Sequence, residues 1–333
     1  MKKMTALLLA ILMLLSLVPA MAEETDAPSV ALLVAGTLGD RGFYDSSNEG
    51  LQRLEADGLA SKTTVIPSNE DAFRYLQDIF NAAESYDIVV AVGWQYGLYL
   101  QEAVPEFPDT KFIFIDNEYE HRSEDDKDEN ILSIVYKQNE GSFLVGYLAA
   151  KMTKTGKIGV VGGEDADTIN DFIVGYEDGA KYANPDVDVR VIYANGYEDP
   201  ANGKDCATSL YNLGCDIVFA VAGKTGEGVF EAAKETGNYA IGVDSDQKYI
   251  DPEHIICSMI KSVDKSFYDV IANMDTMFLG GETWAADMAN GYIDVGYGTE
   301  EMTQQVSDEL KTEVEELKQK ILDGEIEVRT TLN

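Results

Sequence analysis

One stretch of the sequence reads Tyr239-Ala-Ile-Gly-Val-Asp-Ser-Asp-Gln-Lys248, a short apolar run that ends abruptly in Asp244 and Asp246. Such a run is typical of a buried parallel strand. In open α/β sheets, ligands bind beyond the carboxyl ends of the strands. Carboxylates accept hydrogen bonds, so Asp246 suits a ligand with paired hydroxyl groups, and Lys261 from the next apolar run would supply a donor beside it. The alternative is that Asp246 only caps the following turn.

The chain upstream of this stretch alternates short apolar runs with amphipathic segments. The runs predict strands at Val30–Ala35, Thr63–Ile66, Ile88–Val92 and Lys111–Ile115, with helices between them. This alternation is the βαβ pattern of a parallel, doubly wound sheet. The sequence therefore predicts the α/β fold class.

The same pattern occurs twice along the chain, at an offset of about 128 residues. Asp87-Ile-Val-Val-Ala-Val92 matches Asp216-Ile-Val-Phe-Ala-Val221, and Asp116 matches Asp244. The repeat predicts two similar lobes, each built on its own doubly wound sheet.

The segments after Asp244 predict how the two lobes are joined. A helix at Val263–Phe278 has no place except in the first lobe, and a strand near Tyr292–Val295 with the helix Glu300–Leu322 would return to the second. Three chain crossings then form a hinge. We assign residues 23–138 and 257–285 to the N-terminal lobe, and residues 139–256 and 286–333 to the C-terminal lobe.

Residues 1–22 have the features of an export signal. Lys2 and Lys3 precede an apolar run from Ala6 to Leu15, and Pro19-Ala-Met-Ala22 resembles a cleavage site for signal peptidase. We expect cleavage near Ala22 and a location outside the cytoplasm. The rest of the chain has no apolar run long enough to span a bilayer, and no cysteine near the cleavage site could take a lipid.

Composition excludes several classes of function. A formal net charge of -35 argues against nucleic acid or an anionic membrane surface as the partner. The three cysteines form no C-x-x-C pair, and the two histidines supply little material for a metal site or a Ser-His-Asp triad. We therefore expect no cofactor, no metal and no catalytic residues.

Four residues of the repeat suggest a clamp for a flat ring. Phe43 and Phe172 occupy corresponding loops after the first strand of each lobe, and Trp94 and Gly223 occupy corresponding loops after a later strand. If the lobes face each other, the two phenylalanines approach a ligand from opposite sides. The alternative is that each phenylalanine packs in the core under its own loop.

Five stretches resemble the basic membrane protein family of extracytoplasmic solute-binding proteins. They are Gly39-Asp-Arg-Gly-Phe-Tyr-Asp-Ser-Ser-Asn-Glu-Gly50, Glu140-Gly-Ser-Phe-Leu-Val-Gly146, Asp199-Pro-Ala-Asn-Gly-Lys204, Ala222-Gly-Lys-Thr-Gly-Glu-Gly-Val229 and Ile241-Gly-Val-Asp-Ser-Asp-Gln247. The resemblance covers nearly all of the chain after the leader. It implies a two-lobed type I periplasmic-binding-protein fold. It also implies a monomeric receptor that passes a nucleoside, most often a purine nucleoside, to an ABC permease.

The resemblance also implies roles for individual residues. It places Asp40, Phe43 and Asp116 at the base, with Phe172 and Tyr197 lining the pocket, and it assigns the ribose to Gly223, Asp246 and Lys261. Trp94 and Tyr44 complete the expected site. The chain departs from the family at Tyr44, where the family usually has Asn, and in lacking the lipid-anchoring cysteine.

Two other functions use the same residues. A sugar or polyol receptor would need the same carboxylates, with the aromatic rings stacked on a pyranose. A nucleoside or glycoside hydrolase could use Asp244 and Asp246 as an acidic pair.

Overall fold

The structure is a computed structural model that describes residues 27–123 and 127–332. The leader expected over residues 1–22 lies outside these residues. Within the described ranges, no helix combines the length and the apolar character needed to cross a bilayer.

Twelve strands and ten α-helices make up the described part of the chain. The strands are β1 Ser29–Val34, β2 Lys62–Pro67, β3 Ile88–Val92, β4 Lys111–Ile115, β5 Ile131–Tyr136, β6 Lys157–Gly162, β7 Asp188–Tyr193, β8 Ile217–Val221, β9 Tyr239–Asp244, β10 Ile255–Lys261, β11 Thr283–Ala286 and β12 Ile293–Gly296. The helices are α1 Phe43–Ala56, α2 Ala72–Ala83, α3 Gly97–Ala103, α4 Gln138–Met152, α5 Asp167–Ala183, α6 Pro200–Asn212, α7 Glu227–Thr236, α8 Val263–Ala272, α9 Met274–Met277 and α10 Asp308–Leu322.

The strands form two six-stranded sheets, one in each lobe. The first sheet has the order β11-β5-β4-β3-β1-β2 and is parallel throughout. The second has the order β12-β10-β9-β8-β6-β7, and only β12 runs antiparallel to its neighbour. Every residue of β3 and of β8 is buried, as expected for central strands with helices on both faces. The two-lobed α/β prediction is confirmed.

The chain passes between the lobes three times, as predicted. The crossings lie between β5 and α4, between β10 and α8, and between β11 and β12. The helix α8 packs against α1 of the first lobe, whereas α4 packs against α5 and β10 of the second. These three connections are the hinge of the molecule.

Strand pairing moves one lobe boundary that we expected from the sequence. The boundary at residue 257 falls inside β10, which pairs with β9 and β12 in the second sheet. The segment that returns to the first lobe therefore begins after Lys261. It ends in β11, a strand of four residues that pairs with β5 and was not predicted because Thr-Trp-Ala-Ala is too short to show a pattern.

A tail segment, residues 326–332, runs back along α5 to the first crossing. Asp171 on α5 is fully buried and accepts hydrogen bonds from Thr330 Oγ1 (2.6 Å), Thr331 N–H (2.9 Å) and Gln138 Nε2 (2.8 Å). Gln138 is the first residue of α4, directly after the crossing. One carboxylate thus joins the tail segment, α5 and the hinge.

We expect Asp171→Ala to lower the free energy of unfolding by about 2–3 kcal/mol, because it leaves buried donors without an acceptor. Asp178→Ala is the matched control, since Asp178 also holds the tail segment, through Arg329 at 2.6 Å, but at a more exposed position. An exposed ion pair contributes about 1 kcal/mol or less. Urea unfolding of the two variants measures the difference, and equal losses would contradict a special role for Asp171.

Candidate functional site

A cavity lies between the two lobes at the carboxyl ends of their strands. Nine of the ten residues expected at the site line this cavity: Asp40, Phe43, Tyr44, Trp94, Asp116, Phe172, Tyr197, Gly223 and Lys261. The tenth, Asp246, does not line it. The cavity wall also includes residues that were not among the ten, such as Asp244, Gln95 and Thr168.

Lys261 and Asp116 form an ion pair across the cavity. Lys261 ends β10 in the second lobe, Asp116 follows β4 in the first, and the Nζ of Lys261 donates to Oδ1 of Asp116. The two side chains are 1% and 10% exposed. Burial raises the pKa of Asp116, and the ammonium of Lys261 opposes that rise. The pair therefore joins the lobes inside the site.

The ammonium of Lys261 also lies among aromatic rings. Its Nζ is 5.1 Å from the ring centroids of both Phe43 and Phe172, and 4.8 Å from that of Tyr136. These distances are within the range of cation–π attraction. Phe43 comes from the first lobe and Phe172 from the second, and both side chains line the cavity. Phe172 is buried and also packs on Phe219 in the core, at 6.4 Å between ring centroids.

Asp244 occupies the position in the second lobe that Asp116 occupies in the first. Both residues have positive φ, 66° for Asp244 and 77° for Asp116, which is uncommon outside glycine. Asp244 is 8% exposed, and its carboxyl group makes no hydrogen bond to any described residue. Burial raises the pKa of Asp244 to about 7, with Lys261 opposing the rise and Asp116 and Asp40 adding to it. The cavity thus contains a carboxyl group without a partner.

Asp40 also lines the cavity, but its carboxylate has hydrogen-bond partners within the protein. Its carboxylate accepts from the backbone N–H groups of Gly42 (3.1 Å), Tyr44 (2.9 Å) and Asp45 (3.0 Å) at the start of α1. Burial raises its pKa to about 6, and these three hydrogen bonds oppose the rise. Asp40 therefore fixes the first turn of α1, which carries Phe43 and Tyr44 into the site.

Asp246 does not reach the cavity, so its expected place in the site is corrected. Its carboxylate accepts from Lys248 N–H (3.2 Å) and from Gly298 N–H (2.7 Å), which ties the turn after β9 to the segment after β12. The chain leaves the strand with positive φ at Asp244, and this turn carries Asp246 away from the cleft. The structure supports the alternative that Asp246 caps the turn. Of the two neighbouring aspartates, Asp244 is the one that lines the cavity.

Direct contacts between the lobes close the rim of the cavity. Thr37 in the first lobe donates from its N–H (2.8 Å) and Oγ1 (2.7 Å) to the two carboxylate oxygens of Glu198 in the second. Gln247 Nε2 donates to Arg41 O (3.1 Å), and the side chain of Arg41 lies 3.4 Å from Glu227. The structure is therefore a closed form of the cleft.

The cavity is lined by hydrogen-bonding groups and aromatic rings. Neither His121 nor His254 lines it. In the described parts of the chain, no three His, Cys, Asp or Glu side chains are grouped so that they could hold a metal ion. What the cavity offers is acceptors for ligand donors, one ammonium group and aromatic faces.

Two of the lining residues outside the expected ten could have been found from the sequence. Asp244 and Gln95 each follow the apolar run of a central strand, where ligand contacts are expected in such sheets. The choice of Asp246 over Asp244 depended on the backbone angle at Asp244, which the sequence does not display.

Comparisons with known proteins identify the family. The family described as "ABC transporter substrate-binding protein PnrA-like" matches residues 27–331. Basic membrane protein A of Borreliella burgdorferi is 32% identical over 307 residues, which cover 91% of this chain and 88% of that protein. Basic membrane protein D of the same species is 36% identical over 269 residues, 77% of each chain.

A solved structure agrees with this result. The solute-binding protein of an ABC transporter system from Aeropyrum pernix superposes with a TM-score of 0.79 at 28% identity, and the match covers 91% of this chain and 93% of that one. The family resemblance read from the five sequence stretches is thereby confirmed. The chain belongs to the Bmp family, the PnrA-like substrate-binding proteins of ABC transporters.

Proposed function

We propose that this protein binds a ribonucleoside with a purine base in the cleft and passes it unchanged to an ABC permease. The observation that carries this proposal is Asp244, a buried carboxyl group without a hydrogen-bond partner among the described residues, beside the ammonium of Lys261. Its carboxyl group lines the cavity without a protein donor, so a ligand that donates hydrogen bonds to it would complete the site. A ribose diol is such a ligand.

The ribose would lie against the second lobe. The 2′ and 3′ hydroxyl groups donate to the carboxylate of Asp244, and the ammonium of Lys261 donates to a hydroxyl oxygen. Gly223 has φ of 52° and begins a short helix at the carboxyl end of β8, where its backbone can approach a ligand closely. Gly223 would contact the rest of the sugar.

The base would lie between the lobes. Phe43 from the first lobe and Phe172 from the second both line the cavity, and stacking of a base on an aromatic ring contributes about 1–3 kcal/mol. Asp116 can accept a hydrogen bond from a base N–H while it remains paired with Lys261, because a carboxylate has several acceptor positions. The sequence resemblance to the family also favours a nucleoside.

The binding site is complete within one chain, so we propose that the receptor acts as a monomer. Ligand contacts from both lobes stabilise the closed cleft, and the contact between Thr37 and Glu198 at its rim forms only when the lobes meet. A permease that recognises the closed form would then distinguish loaded from empty receptor.

The sugar or polyol alternative draws on the same observation, because a pyranose also carries neighbouring hydroxyl groups and an apolar face. The hydrolase alternative is weakened by Asp246, whose carboxylate is engaged outside the cavity and leaves Asp244 without its proposed acidic partner.

Mass spectrometry of the small molecules released from purified, denatured protein tests the proposal directly. We expect an intact nucleoside at close to one molecule per chain. Incubation of added nucleosides with the protein should yield no free base or ribose. Release of a hexose or inositol would replace the nucleoside proposal with the polyol alternative, and accumulation of free base would show that the protein is an enzyme.

The two neighbouring aspartates allow a matched test of the ribose contact. We expect Asp244→Ala to weaken ribonucleoside binding by about ten- to over a hundredfold, since a hydrogen bond to a charged group contributes about 1.5–3 kcal/mol. The preference for a ribonucleoside over its 2′-deoxy analogue should nearly vanish in this variant. Asp246→Ala removes a turn cap, and it should lower the free energy of unfolding by about 0.5–2 kcal/mol without changing affinity.

Titration calorimetry on both variants with both ligands gives the coupling between Asp244 and the 2′-hydroxyl group. A ribose preference that survives Asp244→Ala would mean that another group binds the diol. Loss of affinity in Asp246→Ala at unchanged stability would return Asp246 to the site.

The raised pKa of Asp244 predicts proton release on binding. In the closed cleft without a ligand, burial raises the pKa of this carboxyl from 3.8 to about 7, so the group is partly protonated near pH 7. Hydroxyl donors on the ligand favour the ionised form, so its pKa falls on binding, a proton leaves, and affinity rises with pH through about 7. Calorimetry at pH 7 in buffers of different ionisation enthalpy counts the proton. Asp244→Asn should abolish the part of the proton release that comes from Asp244. Proton uptake by the wild type on binding would contradict this account.

The same pKa gives a stability test without ligand. The folded-state pKa of Asp244 lies above its value in the unfolded chain, so its carboxyl group favours folding at low pH. That contribution is present in full below about pH 4 and is lost as the pH rises towards 7. The melting temperature of the wild type should therefore fall more steeply than that of Asp244→Asn across this window. Parallel curves would show that Asp244 does not titrate there.

A further inference from the structure

Two further polar groups of the cavity have no hydrogen-bond partner among the described residues. They are the side-chain oxygen of Gln95 and the hydroxyl group of Tyr197, and both atoms are buried; the hydroxyl group lies close to the indole of Trp94 but forms no well-directed hydrogen bond with it. Gln95 follows β3 in the first lobe and Tyr197 follows β7 in the second, so the two residues line the cavity from opposite sides. Buried polar atoms without a partner are rare in folded proteins, and each requires an explanation.

Glycines in both lobes make room for these side chains. Gly93 has φ of 117°, and a Cβ atom there would lie 2.6 Å from the side-chain oxygen of Gln95. A Cβ atom on Gly163 would lie 2.1 Å from the ring of Tyr197. Any other residue at Gly93 or Gly163 would displace the neighbouring polar group. Glycine at these two positions therefore allows Gln95 and Tyr197 to occupy their observed positions.

Strand order places these two groups further from the hinge than Asp116, Asp244 and Lys261, whereas Asp40 follows β1, which lies beyond β3. The crossings of the hinge leave from β5, β10 and β11, and the charged residues Asp116, Asp244 and Lys261 follow β4, β9 and β10, at or beside those strands. Gln95 follows β3, one strand further from the hinge, and Tyr197 follows β7, the outermost strand of the second sheet. A ligand held by Asp244 and Lys261 therefore meets Gln95 and Tyr197 with a different part of its structure.

We propose that Gln95 and Tyr197 determine which base this receptor accepts, by hydrogen bonding to the edge of the base that lies away from the hinge. This inference rests on the proposed function. An amide offers an acceptor and donors, and a phenol offers one of each, so the pair discriminates by the pattern of donors and acceptors on the base rather than by charge. The wrong base leaves a buried polar group unpaired, which is how such sites reject close analogues.

Adenosine and inosine are suitable probes, because they share the ribose and differ only at N1 and C6 of the purine. N1 is an acceptor beside an amino group in adenosine, and a donor beside a carbonyl oxygen in inosine. We expect the wild type to bind one of them about ten- to a hundredfold more tightly than the other. Gln95→Leu and Tyr197→Phe, which remove only hydrogen-bonding capacity, should each bring this affinity ratio towards one.

A second ratio separates recognition from a general loss of the site. The preference of each variant for adenosine over 2′-deoxyadenosine should match that of the wild type, because Asp244 and Lys261 are intact. Gln77→Leu, the same substitution at an exposed position on α2, should change neither ratio. Thermal unfolding of all four proteins shows whether each variant is folded under the conditions of the calorimetry.

The outcomes distinguish failure of this inference from failure of the proposed function. A wild type that binds neither nucleoside overturns both. A wild type that binds both nucleosides equally overturns this inference alone. This inference alone is also overturned if Gln95→Leu and Tyr197→Phe both keep the base preference of the wild type. In that case Asp244→Ala would still remove the ribose preference.

Discussion

Lys261 and Asp116 form a buried ion pair between the lobes, and the electrostatics of the whole cavity depend on it. The cavity is lined by one ammonium group, that of Lys261, and by three carboxyl groups, those of Asp40, Asp116 and Asp244, and burial raises the pKa of each of the three. Asp40 has the first turn of α1 as its partner and Asp116 has Lys261, which leaves Asp244 without one. A buried ion pair is weak evidence for stability, because desolvation of both charges offsets their attraction. Its effect here is to fix where a ligand must donate hydrogen bonds.

The repeated architecture explains the position of each charge. Asp116 and Asp244 end corresponding strands, β4 and β9, with the same unusual backbone conformation, so two equivalent carboxyl groups face each other once the lobes close. The next strand outward breaks this symmetry. In the first lobe that strand is β5, which ends in Tyr136, and in the second it is β10, which ends in Lys261. A duplicated fold thereby gives one cleft two acidic sides and a single ammonium group, which is seated against the ring of Tyr136.

Sequence periodicity was sufficient for the fold, because buried parallel strands and covering helices leave strong local patterns. Periodicity was insufficient where the structure depends on strand pairing or on the backbone angle of a single residue. The sequence Thr-Trp-Ala-Ala does not identify β11 as a strand until its pairing with β5 is known. The assignment of β10 to the second lobe likewise depends on its pairing with β9 and β12. Asp244 and Asp246 were exchanged because the φ of one residue decides which carboxyl group enters the cavity. The sequence shows that Gln95 follows a central strand, but its lack of a hydrogen-bond partner is a property of the folded surroundings.

The tail segment links the wall of the cavity to the hinge. Asp171 accepts hydrogen bonds from the tail segment and from Gln138 at the first crossing, and the next residue along α5 is Phe172, which lines the cavity. Asn139 adds two bonds to the backbone of the same tail, at 3.2 and 3.1 Å. The start of α5 is therefore fixed to the start of α4 by buried, fully directional contacts. These contacts place Phe172, on the second-lobe side of the cavity, and the end of the first crossing in one packed unit.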